Sequence, residues 1–310
     1  MKLSEKWFAV VNPSSANGKT RSKWPYYYQD FLQGGIEMDY AFTTAQANGV
    51  EVTRQALQQG YRRIIAVGGD GTVNEVLNGF FNRGEMIRKD LELAVFAQGT
   101  GCDFIRTLQI DKGITSFIRI LKDKSPSKVD VGLIALGDEQ NEKKIRYFLN
   151  AANLGIGAEV VDYTNNRTKA LGSRLSYLTG TISTLKSYRN FRGSCSLDQG
   201  KITFEGKFCG LMICNGRYIG GGMKIAPQAE INDGYFDLIV IKDISKLKLL
   251  SHFSTIYQGR HIELPEVAVY RCQELSINTP NPILLEADGE IIGHTPSEFR
   301  IIPQCLNIYI

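Results

Sequence analysis

A chain of 310 residues, 43% hydrophobic and 22% charged, has the composition of a folded globular protein and the length for two hydrophobic cores, which excludes a disordered or fibrous chain. A net charge of +4 lacks the basic stripe that nucleic-acid binding requires, so no nucleic acid is expected as a partner. Six cysteines without a C-x-x-C pair and three histidines without an H-x-x-x-H pair exclude a disulfide scaffold and a zinc ribbon and suit a reducing, cytoplasmic setting; no run reaches the roughly 20 apolar residues that cross a bilayer.

Up to residue 131, short β-branched runs alternate with amphipathic stretches. Strands are expected at 7–11, 36–43, 64–69 and from 91 onward, and helices at 21–33, 50–59, 73–81 and 114–122. Such alternation builds an α/β domain on a parallel sheet, with ligands beyond the carboxyl ends of its strands. Beyond it the texture becomes one of closely spaced strands, including VDVGLIAL, RYFLNAAN, KITFEG, KFCGLMICNG, YFDLIVI, VAVYRCQEL and EFRIIP. Turn signals at 198–200, 232–234 and 288–290 punctuate them, and helices interrupt at 172–187 and 244–259. The expected domains are therefore 1–131, α/β, and 132–299, a β-sandwich, packed closely around a cleft.

The sharpest local feature is Gly68-Gly69-Asp70-Gly71-Thr72, between an apolar strand and a helix. A strand–loop–helix turn without Cβ atoms lets backbone N–H groups converge on an anion, and a helix N-terminus adds positive partial charge. The plainer reading is a capping box, Thr72 to Glu75, but it leaves Asp70 unexplained, because a carboxylate in a phosphate cradle needs a cation or a hydroxyl beside it. A second turn, Gln98 through Phe104, follows the next strand, and Asn12-Pro13-Ser14-Ser15 supplies a third loop at the same edge. Gly18-Lys19-Thr20 copies the tail of a Walker A loop, but Pro13 stands where its first glycine belongs. Asp70, Asp103 and Asp130 fall at strand ends and are candidate Mg²⁺ ligands, with helix capping as the alternative. Lys169, Arg174 and Arg217 flank glycine-containing motifs and are candidate phosphate contacts. A stripe of Leu175, Leu178, Ile182 and Leu185 is either core packing or the wall of an acyl groove.

These motifs resemble the diacylglycerol kinase catalytic-domain family, above all its bacterial diacylglycerol kinase and YegS-like lipid kinases, related to the sphingosine kinases. The resemblance is collinear: NPSS at Asn12, FTT at Phe42, VGGDGTVNEVLNG at Val67, GTGCDFIRTL at Gly99, VDVG at Val129, NAANLGIGAEV at Asn150, NGRYIGGGMKIAPQAEINDGYFDL at Asn215 and ADGE at Ala287. GGDGT alone is shared with 6-phosphofructokinases and NAD kinases. The resemblance implies a nucleotide-binding α/β domain of that kind, with a strand at about 300–310 returning to it, and a C-terminal β-sandwich holding the lipid.

It places ATP on Asn12, Pro13 and Ser14, on Thr44, on Gly68, Gly69, Asp70, Gly71, Thr72, Asn74 and Glu75, and on Gly99 and Thr100. It makes Glu290, with Asp288 second, the general base; unaided, Asp288-Gly289-Glu290 reads equally well as a hairpin turn. It gives a structural Mg²⁺ the ligands Glu230, Asp233 and the carbonyl of Tyr235. The implied activity is ATP- and Mg²⁺-dependent phosphorylation of a lipid hydroxyl at a membrane surface by a cytoplasmic, peripherally associated enzyme, with a homodimer left open. A soluble-metabolite kinase of the NAD kinase type and a non-catalytic nucleotide or lipid sensor are the alternatives. The chain departs from the family pattern at Ala97 and Gln98, where proline usually precedes the glycine turn, and at Cys102, where asparagine is usual.

Overall fold

The computed structural model describes residues 3–44, 48–99, 101–137, 143–167 and 173–310, leaving aside the side chains of residues 4, 166, 167 and 173–178. The chain forms two compact units, Met1–Val129 with Gln304–Ile310, and Asp130–Pro303. The first boundary falls two residues before the expected one, and the C-terminal segment that belongs to unit 1 starts at 304.

Unit 1 is built in chain order from β1 (Trp7–Val11), α1 (Lys19–Gln33), β2 (Met38–Phe42), α2 (Asn48–Gln59), β3 (Arg63–Gly68), α3 (Asp70–Gly79), a small hairpin of β4 (Phe81–Asn82) and β5 (Glu85–Met86), β6 (Glu92–Ala97), α4 (Asp103–Leu108) and α5 (Ile114–Asp123). β1 pairs in parallel with β2 and β3, and β3 with β6. β1 and β3 are nearly continuous apolar runs because both faces of a parallel sheet are covered. On one face Trp7, Ala9, Val11, Val67 and Phe96 meet Trp24 and Phe31 of α1 and Phe117 of α5. At the C-terminus, Asn307 and Ile308 add a further parallel segment beside Glu92 and Leu93 of β6.

Unit 2 takes in most of β7 (Ser127–Leu136), followed by β8 (Lys144–Phe148), β9 (Ala151–Gly155), α6 (Ile156–Arg167), α7 (Ser173–Ser187), β10 (Phe191–Leu197), β11 (Ile202–Cys214), β12 (Phe236–Lys242), α8 (Lys246–Ser251), α9 (Phe253–Gln258), β13 (Val267–Cys272), β14 (Glu274–Asn278), β15 (Leu284–Ala287), β16 (Glu290–His294) and the start of β17 (Ser297–Ile308). Its strand pairs are antiparallel, with β16, β15, β9, β11, β10, β14 and β17 as successive neighbours, β12 beside β11 and β13, and β7 beside β8. Period-two alternation sets the layers. Leu211 and Ile213 of β11 enter the sandwich core with Phe148, Leu154, Phe236 and Leu285, whereas Met212 and Cys214 face the opposite way, among Ile156, Val160 and Leu185 of α6 and α7. Leu185 of the expected stripe is thus core and Ile182 is 45% exposed, while the side chains of Leu175 and Leu178 lie outside the described residues.

Candidate active site

The glycine-rich loops of unit 1 meet where β3 and β6 end. The N–H of Gln98 bonds the Gly68 carbonyl at 2.8 Å, which aligns the turns that follow the two strands. They touch through backbone: a Cβ on Gly99 would lie 2.8 Å from the Cα of Gly69, so position 99 admits no side chain without movement. The N–H of Asn12 bonds the carbonyl of Val67 at 2.9 Å, and its side-chain amide donates to Thr72 Oγ1 at 3.1 Å. Its Oδ1 accepts the N–H of Ser14 at 3.0 Å, shaping the Asn12-Pro13-Ser14 turn. Thr44 is exposed and held by Asn48 through its N–H at 3.1 Å.

The capping-box reading is corrected. Helix α3 starts at Asp70, two residues before the expected box, with Gly69 as its cap residue. Glu75 reaches α2 instead, accepting the N–H of Gly49 at 2.8 Å. Within α3, Asn74 Oδ1 accepts from the Asn78 amide at 3.0 Å.

Asp70 caps a different helix from its own. Its carboxylate accepts the N–H groups of Asp103 at 3.0 Å and Phe104 at 3.2 Å, the first turn of α4, an acid at a helix N-terminus. Burial raises its carboxyl above the ordinary carboxylate value, against the pull of these two donors. Asp103 is buried and ion-paired with Arg106 at 2.7 Å. Just before it, Cys102 sits in the left-handed region at φ 48°, ψ 56° and donates its thiol to the Gly99 carbonyl at 3.1 Å. Burial pushes that thiol up to about 11, so it is not a reactive thiolate. Asparagine adopts this conformation more readily than cysteine. Cys102→Asn is expected to raise stability by about 1 kcal/mol, a Tm gain of about 2–4 °C in thermal denaturation, and a fall in Tm would show that the thiol contact outweighs the backbone strain.

In unit 2 the turn between β15 and β16 has Asp288 at φ 48° and Gly289 at φ 88°, both left-handed, as a tight hairpin requires. The Asp288 carboxylate accepts three N–H groups, from Leu149 at 2.9 Å, Asn150 at 3.0 Å and Ala151 at 3.1 Å. It thereby pins the β8–β9 link. Half-buried Glu290 opens β16. Around the same link Asn215 donates to the carbonyls of Leu149 at 2.7 Å and Asp130 at 3.2 Å, and Asn150 donates to the Tyr218 carbonyl.

Asp130 belongs to unit 2, where Oδ2 accepts the Gly234 N–H at 2.7 Å. Asp233 is bonded by Arg271, whose guanidinium lies 4.8 Å over the Tyr235 ring, and accepts the Tyr235 N–H at 3.0 Å; Glu230 is exposed. Among the described residues no three His, Cys, Asp or Glu side chains gather to hold a metal. Arg217 donates through Nε to the Ala229 carbonyl at 2.8 Å, a loop-holding bond. Lys169, Thr100 and the Arg174 side chain lie outside the described residues, and Lys19 is exposed at the start of α1.

Sequence reading missed α4, and with it the capping role of Asp70, because donor and acceptor are 33 residues apart. It also missed the pair Asn153 and Glu286, both buried and bonded to each other. The signal available was an acid inside the four-residue apolar strand LLEA.

A parallel α/β unit with glycine loops at its strand ends, followed by an antiparallel sandwich, is the architecture of the NAD kinase-like fold. The solved structure of yeast NADH kinase has a TM-score of 0.54 at 12% identity, covering 98% of this chain and 82% of that one. A diacylglycerol kinase structure from Bacillus anthracis has a TM-score of 0.71 at 19% identity, covering 98% and 96%. The diacylglycerol kinase catalytic domain matches residues 6–134, and the YegS C-terminal NAD kinase beta sandwich-like domain matches residues 150–310. Diacylglycerol kinases of Staphylococcus carnosus, 28% identical over 97% of this chain and 93% of theirs, and of Bacillus subtilis, 26% identical over 94% and 91%, are similar along nearly the whole length. The chain belongs to the diacylglycerol kinase catalytic-domain family, a family of phosphotransferases.

Proposed function

We propose that the chain is a lipid kinase that transfers the γ-phosphoryl group of ATP to the hydroxyl of a diacylglycerol-like lipid. The observation that carries this reading is the backbone contact of Gly69 with Gly99, beside Asn12 and Thr72, at the carboxyl ends of parallel strands. The glycine-rich turn after β3 and the N-terminus of α3 offer N–H groups to phosphates. Asp70 keeps the second turn in register with the first by holding α4.

Phosphoryl transfer asks mainly for positioning and charge neutralisation. The lipid oxygen bonds to the γ-phosphorus as the β–γ bridging bond breaks, Glu290 takes the hydroxyl proton, and ADP leaves. Asp288, its oxygens held by three N–H groups, sets the turn. Mg²⁺ bound with the nucleotide would neutralise charge on its phosphates.

A lipid acceptor brings contact with a bilayer. No described helix is long and apolar enough to cross one. Helix α8 offers a surface for lying on one: Leu247 is 81% exposed and Leu250 40%, between exposed Lys242, Lys246 and Lys186. Leu247→Glu is expected to weaken co-sedimentation with phosphatidylglycerol vesicles by about tenfold at unchanged Tm, and undiminished sedimentation would remove α8 from the interface.

The test of the reaction is transfer of radiolabel from γ-labelled ATP with Mg²⁺ into a detergent-dispersed lipid mixture, resolved by thin-layer chromatography. A labelled lipid is the expected result. Label in NAD or a sugar phosphate instead would reassign the acceptor to a soluble metabolite, and nucleotide binding without transfer to any acceptor would make the chain a sensor.

A further inference from the structure

Glu286 has no part in the reaction as read above, yet it is the most thoroughly enclosed acid of the hairpin. Its neighbours on β15, Leu285 and Ala287, enter the sandwich core, which turns Glu286 to the opposite face, where it is 2% exposed. One carboxyl oxygen meets the side-chain amide of Asn153 on β9, and the other accepts the N–H of Gly289 at 2.9 Å. Asn153 is itself buried, and its Oδ1 has no hydrogen-bond partner among the described residues. The hairpin turn is therefore gripped from two sides, by Asp288 reaching out to the β8–β9 link and by Glu286 reaching back to Gly289.

Both donors favour the charged carboxylate, but complete burial outweighs them. Burial pushes the Glu286 carboxyl up to about 8, and the charges of Asp288 and Glu290 push the same way. Of the other titratable groups, the Cys214 thiol of β11, itself raised by burial, interacts with it; α6, which packs against β15, carries Glu159 and Asp162, and β16 carries His294.

We propose that Glu286 is a positioning residue that works as the neutral acid, closing the Asp288-Gly289 turn from within so that Glu290 stands in one place, and that its ionisation sets a third negative charge beside Asp288 and Glu290, whose repulsion loosens the turn. The proposal rests on the reading of Glu290 as the base. With its folded value above its ordinary 4.5, the contribution of Glu286 to stability is full below about pH 4.5 and is lost as pH rises through about 8.

Glu286→Gln copies the neutral acid without a proton to lose. At pH 7 it is expected to keep kcat within about twofold of wild type, and to lack the fall in kcat that wild type shows with a midpoint near pH 8. Glu286→Ala removes the grip on Gly289 and is expected to lower kcat by about 10–100-fold with little change in the lipid KM. An alkaline limb unchanged in Glu286→Gln, or a Glu286→Gln variant as poor as Glu286→Ala at pH 7, would overturn the proposal. A second measurement stands apart from catalysis. The carboxyl ¹³C resonance of Glu286, assigned in glutamate-labelled protein by its loss in Glu286→Gln, is expected to titrate near pH 8, and titration in the ordinary carboxylate range overturns the neutral acid. Absence of lipid phosphorylation by wild type would instead overturn the reading of Glu290, while the resonance still decides the state of Glu286.

Discussion

Asp70→Asn is expected to lower kcat by about 10²-fold or more and also to lower Tm by several degrees. The substitution keeps one oxygen for a backbone donor but turns an NH₂ group toward the other, so one of the N–H groups of Asp103 and Phe104 faces a donor. An unmade bond at a buried donor costs about 1–3 kcal/mol, and α4 with the 99–102 turn relaxes away from Gly69. A displacement of about 1 Å at a phosphate site is enough for a rate loss of this size. Steady-state kinetics and thermal denaturation on the same preparation check both parts. Turnover like wild type would remove Asp70 from the mechanism, and an unchanged Tm would show that the cap on α4 is dispensable.

The second large effect separates the two acids of the β15–β16 turn. Asp288→Asn is expected to lower Tm and kcat together, because an amide cannot accept all three N–H groups of Leu149, Asn150 and Ala151 and the β8–β9 link is set free. Glu290→Gln is expected to leave Tm within about 1 °C and to lower kcat by about 10²–10⁴-fold at unchanged nucleotide affinity, the range for losing a general base. The informative comparison is the ratio of kcat loss to Tm loss, measured at saturating ATP. Equal ratios for the two variants would reduce Glu290 to part of the hairpin, and a stable but inactive Asp288→Asn would move the base to Asp288.

What could be read from the sequence follows from how local the cause is. The strands of unit 1 announce themselves because a parallel sheet covered on both faces needs runs such as Trp7–Val11 and Arg63–Gly68. The helices α1, α2 and α5 were placed to within two residues for the same reason, an apolar stripe against that sheet. Helix α4 has six residues and is capped from another loop, so it offers no periodic window of its own, and α6 follows β9 directly through Gly155, so its start runs on from a strand. KITFEG and KFCGLMICNG read as two strands because their glycines look like turns, yet they form one long β11 with a register shift at Phe208 to Gly210.

The same division runs through the site. The glycine turns were legible because left-handed or Cβ-free backbone has few alternatives in residue type. The hydrogen-bond acceptors were not. Asp70, Glu75, Asp130 and Asp288 each bond backbone N–H groups on a segment remote in sequence, and nothing in the local pattern tells a ligand to a cation from a clasp on a loop.

The last residues of the chain carry a consequence for its synthesis. Asn307 and Ile308 lie along β6, and the Asn307 amide donates to the Leu91 carbonyl at 3.0 Å, so unit 1 is finished by a segment translated after all of unit 2. While the ribosome is still making the sandwich, the edge of β6 stands open beside Glu92 and Leu93. The nascent unit 1 thus waits with an unpaired strand edge until Asn307 and Ile308 emerge, a window in which stray strands compete for it.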